Sequence, residues 1–123
     1  MNEAAIWKTL GEEGFGRLVA AFYRRIPGDE LLGPMYPDGD LSGAEARLRD
    51  FLLFRFGGVP RYIEERGHPR LRMRHAPFAI GENERDRWLQ LMGEAVRECE
   101  VPPAAAEPLM EFFAGVADFM RNR

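Results

Sequence analysis

Apolar residues recur at helical spacing along almost the whole of this 123-residue chain, and proline and glycine breaks divide the pattern into long segments. Phe15, Leu18, Val19, Phe22 and Ile26 form the first stripe, which Pro27-Gly28 ends. Asp29 is placed to cap a short turn through Leu32. Ser42, with Glu45 three residues on, predicts a capping box for a second helix whose face carries Leu48, Phe51, Leu52 and Arg55. Gly57-Gly58 and Pro60 stop it, and the stretch to Gly67 reads as an ordered loop. Arg85, Trp88, Leu89, Met92, Val96 and Cys99 predict a long amphipathic helix. Pro102-Pro103 separates it from a last one with Leu109, Phe112, Phe113, Val116 and Met120. No Asn-Gly hairpin signal occurs and strand-like alternation does not persist. The expectation is one all-α domain over residues 1–123.

Two strong helices precede the glycine-rich loop and two follow it. A tight bundle has no use for so long a central break, so the spacing suggests that the helices surround something other than protein. Nine Phe, three Tyr and two Trp give an aromatic-rich chain, although aromatics serve an ordinary core equally well. A net charge of −3 argues against nucleic acid as a partner, despite the arginines between Arg61 and Arg74. No apolar run is long enough for a bilayer, and the first residues are too polar for a signal peptide. The single cysteine, Cys99, excludes an intrachain disulfide and any multi-cysteine metal site, and a reducing, cytoplasmic setting is expected.

Of two histidines, His75 lies between Pro69 and Pro77 in a stretch that allows little more than two helical turns. Its direction is then well defined, as a one-sided metal ligand requires; a partly buried surface histidine fits the same placement. His68 is the rival.

Phe22-Tyr23, Tyr36-Pro37, the run from Ala44 to Leu52, Phe56-Gly57-Gly58, the run from Glu65 to Phe78 and Arg85-Asp86-Arg87-Trp88-Leu89 together resemble a truncated haemoglobin of the second bacterial group. The resemblance covers nearly the whole chain and is densest from Tyr62 to Trp88. It implies a two-over-two helical sandwich around haem b, iron protoporphyrin IX. It also implies roles. His75 would be the proximal iron ligand, its other ring nitrogen donating to the Leu71 carbonyl one turn back, and His68 matches a non-ligand position. Tyr23, Tyr36 and Trp88 fall where this group places polar aromatics over the iron, with Ala44 and Leu48 completing the distal pocket. Arg47, Arg74 and the Tyr62 hydroxyl would reach the haem propionates, whereas Arg70 and Arg72 read as solvated. Phe51, Leu52, Met73, Phe78 and Met92 are apolar haem contacts in this reading and plain core in the other. Phe56 departs from the Trp that close relatives often carry.

The resemblance implies reversible binding of dioxygen and other diatomics, carbon monoxide and nitric oxide among them, at a pentacoordinate iron. Three polar donors suit simple oxygen delivery poorly, because they slow release. The alternative is a redox haem enzyme, with peroxidase-like or nitric oxide-oxidising activity. No flavin or nicotinamide motif is present, so its electrons would come from an external reductase. A homodimer is compatible with the chain. Without the resemblance, a cofactor-free helical module would remain.

Overall fold

The computed structural model describes residues 3–36, 41–67 and 80–122. Its helices are α1 (Glu3–Arg24), α2 (Leu41–Gly57), α3 (Arg61–Arg66), α4 (Glu82–Glu98) and α5 (Pro103–Phe119), with a 3-10 turn at Gly33–Met35 between α1 and α2. No strand occurs among the described residues, and no helix there is long and apolar enough to cross a membrane.

α1 is two helices end to end. Gly11 between them has φ 63° and ψ −174°, a left-handed region that glycine alone occupies without strain. The second piece carries the predicted stripe through Phe22, and Ile26 continues it just past the helix end; Phe15, Leu18, Val19, Phe22 and Ile26 are all fully buried. α1 packs on α2, on α4 and on α5, while α4 packs on α5. The two pairs α1/α2 and α4/α5 are therefore held together through α1. Burying each such side chain contributes about 1.5–3 kcal/mol.

α2 turns a second buried edge inward through Leu53 and Phe56, which the sequence stripe did not include. At its end, Gly57 lies under the Trp7 ring, so close that a Cβ there would sit 2.5 Å from the indole. Arg55, assigned by spacing to the apolar face, instead pairs with Glu3 across the α1–α2 boundary.

Three local expectations are corrected or sharpened. Ser42 does not cap α2: the helix has begun by Leu41, so Ser42 lies inside its first turn. A carboxylate cap is found instead at α4, where the Gly81 N–H donates to Glu84 Oε1 at 2.7 Å. The stretch before Gly67 is not a loop but the six-residue α3, whose Tyr62 is buried. The cap at Asp29 is present: its Oδ2 accepts from the N–H groups of Leu32 at 2.8 Å and Leu31 at 3.2 Å. His68, Arg70, Leu71, Arg72, Met73, Arg74, His75, Pro77 and Phe78 lie outside the described residues.

Asp29 is itself buried and forms an ion pair with Arg87 on α4. Burial alone would raise its pKa. Donation from Leu32, the Arg87 guanidinium and donation from Leu31 outweigh it and hold the carboxyl below its ordinary 3.8. The folded carboxyl thus binds its proton less tightly than the unfolded one. Its stabilising contribution is complete above the ordinary value and is lost as pH falls through the lower folded value. Asp29→Ala is expected to cost about 1–3 kcal/mol near neutral pH, from the lost cap and ion pair. Denaturant unfolding should show that cost shrinking at acid pH; an equal cost across the acid limb would contradict the ionic contribution.

Candidate functional site

A cavity of about 330 Å³ opens between the helix pairs, within the size range of small-molecule sites. α1 contributes Tyr23, and the turn after it contributes Leu32, Met35 and Tyr36. From α2 come Ala44, Arg47, Leu48, Phe51 and Leu52, one face repeating every three and four residues. α3 adds Tyr62. The opposite wall is Phe112, Phe113, Val116 and Ala117 of α5 with Met120 just after it, joined by Ile80 ahead of α4 and by Glu84, Arg85 and Trp88 on it. The result is two apolar helix faces with a slot between them.

Three polar aromatics of this slot gather in one place. The Tyr23 and Tyr36 rings meet edge to face at 5.7 Å, and Phe22 lies 5.0 Å from Tyr23 and 4.9 Å from Trp88. Burial pushes the Tyr23 hydroxyl well above the usual phenol range. The repulsion of charge on Tyr36 and donation of its own hydrogen to Tyr36 push it further. Burial also raises Tyr36. There the effect is partly offset, because its oxygen accepts from the Tyr23 O–H and the Trp88 indole N–H and because Arg47 is near. Both phenols are neutral donors at physiological pH. The Tyr36 hydrogen is used by neither of these two contacts.

The Asp29–Arg87 pair has a consequence here. Asp29 organises the turn that ends in Tyr36, and Arg87 precedes Trp88, so one ion pair sets the turn against the helix. Two arginines stand on the rim. Arg85 is engaged by Asp118 at 2.8 Å, Asp86 at 3.0 Å and Glu82 at 3.8 Å. Arg47 is exposed at the mouth of the cavity.

Every described residue assigned to the site from the sequence lines this cavity except Met92, which is fully buried in the core one turn beyond Trp88. Neither histidine, nor Met73, Arg74 or Phe78, falls within the described residues. Sequence reading missed Leu32, Met35, Ile80, Glu84, Arg85 and the whole α5 wall. The α5 stripe was visible at helical spacing, but an apolar stripe looks the same whether it faces protein or a cavity.

Apolar walls, cations at the mouth and a cluster of neutral donors suit a hydrophobic group with anionic edges, which is the chemistry of haem. Two helix pairs crossing around such a cavity define a truncated globin. A family profile described as bacterial-like globin matches residues 5–122. Group 2 truncated hemoglobin YjbI of Bacillus subtilis is 41% identical over 92 residues, 75% of this chain and 69% of that protein. A thermostable hemoglobin of the actinobacterium Thermobifida fusca superposes with a TM-score of 0.90 at 47% identity, covering 95% of this chain and 96% of that one. A truncated oxygen-avid haemoglobin from Bacillus subtilis superposes at 0.89 with 36% identity, over 95% and 98% of the two chains. The chain belongs to the bacterial-like globin family. Membership implies haem as the cofactor and small diatomic gases, dioxygen among them, as ligands.

Alkaline titration tests the Tyr23–Tyr36 environment. Since both phenols are raised above their ordinary value of 10.0, neither is expected to ionise there while the fold persists. Phenolate absorbance of Tyr23→Phe and Tyr36→Phe should match the parent through that range. A lower amplitude in either variant would place the missing phenol in contact with water.

Proposed function

We propose that this chain is a haem b globin that binds dioxygen and related diatomics reversibly at a pentacoordinate iron carried by His75. The observation that carries the proposal is the convergence of Tyr23, Tyr36 and Trp88 in a largely apolar cavity. Haem, when bound, supplies an iron that gives electron density to dioxygen and leaves the ligand partly anionic. The Tyr36 oxygen accepts from Tyr23 and Trp88, which orients its hydroxyl and leaves its hydrogen for such a ligand. Tyr23 and Trp88 then act chiefly by holding Tyr36. Ala44, small, and Leu48, one turn on, shape the space beside the ligand. Arg47, Arg74 and Tyr62 hold the propionates. Phe51, Leu52, Met73 and Phe78 cover the ring, and Met92 supports it from the core. The setting proposed is a single cytoplasmic domain.

The contiguous aromatic packing around the cavity supports a second reading as a redox enzyme, reducing peroxide or oxidising nitric oxide with electrons from an external donor. The two readings share every residue assignment.

An absorption spectrum after loading with haemin is the first test. A Soret band that shifts on reduction and again under oxygen is the expected result, and no Soret band would discard the assignment. His75→Ala should lose haem whereas His68→Ala should keep it; the reverse would move the ligand. A hydrogen bond to a charged acceptor contributes about 1.5–3 kcal/mol, so Tyr36→Phe should speed dioxygen release roughly ten- to hundredfold. Carbon monoxide release should change far less. Smaller effects are expected for Tyr23→Phe and Trp88→Phe, and a larger one in either would reverse the division of labour.

A further inference from the structure

We propose that Trp7 is a surface oxidation site, connected through the core to Trp88, where phenolic one-electron reductants deliver electrons to peroxide reduced in the cavity. The inference rests on the second, peroxide-reducing reading of the haem site above and extends it to another place on the molecule.

The connection is a continuous file of rings. Trp88 lines the cavity and lies 5.5 Å from Phe113, which lies 5.7 Å from Phe112. Phe112 is 4.9 Å from Phe56, Phe56 is 5.4 Å from Phe15, and Phe15 is 6.0 Å from Trp7. The last two contacts are stacked, at 18° and 22° between ring planes. Phe15 and Phe113 are fully or almost fully buried, whereas Trp7 is partly exposed. The file thus starts at the cavity and ends where solvent can reach an indole. Gly57 is what lets that indole lie down on α2, since a side chain there would collide with it.

Chemistry separates the ends of the file from its middle. Indole loses an electron far more readily than a phenylalanine ring does. The phenylalanines therefore bridge, and the oxidising equivalent rests on Trp88 or Trp7. At Trp7 it meets solvent, which stabilises a radical cation and takes its proton.

The step balances. Reducing one hydrogen peroxide to two waters takes two electrons and two protons. Trp7 sends one electron toward Trp88 and releases its indole proton, leaving a neutral indolyl radical. A phenol gives that radical a hydrogen atom and becomes a phenoxyl radical. Two passes convert one peroxide and two phenols into two waters and two phenoxyl radicals.

The test treats haem-loaded protein with hydrogen peroxide and a nitroso spin trap, then locates adducts by peptide mass spectrometry. Adduct on Trp7 is expected, together with oxidation of a phenol tethered to dextran, too large to enter the cavity. Trp7→Phe should abolish tethered-phenol oxidation and shift adducts to Tyr23, Tyr36 or Trp88. Phe56→Leu, or Phe56→Met should the first fold poorly, leaves Trp7 in place, and the Trp7 adduct should be lost while the Soret band is kept. Parent adducts confined to the cavity residues would overturn the proposal. So would equal Trp7 labelling in haem-free protein, which would mean direct oxidation from solution. A missing Soret band would overturn the haem reading instead, and this inference with it.

Discussion

Everything in this molecule depends on α1 burying a face wide enough to serve both helix pairs. Phe15, Leu18, Val19, Phe22 and Ile26 are packed without solvent exposure against α2 on one side and α4 and α5 on the other. Because α1 holds the pairs together, α2 and α5 need not close on each other. Their facing stripes, at 44–52 and 112–120, can bound a cavity rather than interdigitate. Adjacent residues divide the labour: Phe22 belongs to the core and Tyr23 to the cavity.

An apolar space of that kind penalises any polar atom left without a partner. Tyr23, Tyr36 and Trp88 meet the requirement with one another, the Tyr36 oxygen accepting from both neighbours. The arrangement is held from outside as well as inside. Asp29 caps the turn carrying Tyr36 and pairs with the arginine next to Trp88, so two segments 58 residues apart share one buried carboxylate. Low dielectric strengthens these contacts and the neutral donors alike, so the same surroundings that hold the cluster also suit it to a partly anionic ligand.

The rim carries charge. Arg85 is taken up by acidic neighbours on α4 and α5, and Arg47 also stands at the mouth. The C-terminal end of the described chain closes the same rim. Asn122 accepts from the Ile80 N–H and donates its own N–H to the Ile80 carbonyl, both at 2.9 Å, so α5 is tied to the residue that leads into α4.

Periodicity by itself determined that the chain is helical and where four of its long apolar faces lie, because a 3.6-residue repeat is a local property that each segment carries alone. It also determined the Asp29 cap, since an aspartate bonding amides two and three residues on needs nothing from elsewhere. The resemblance carried by residues such as Tyr23, Tyr36, Ala44 and Trp88 pointed to the side chains that line the cavity. α3 escaped notice, six residues being too short to display a helical repeat, and Ser42 misled because the chain enters α2 before it. Only the tertiary structure decided that Met92 faces the core and Met120 the cavity, that Arg87 is the partner of Asp29, and that a file of rings joins Trp88 to Trp7. Those outcomes depend on which helix faces which, and an apolar or charged residue reads the same in sequence whatever it finally touches.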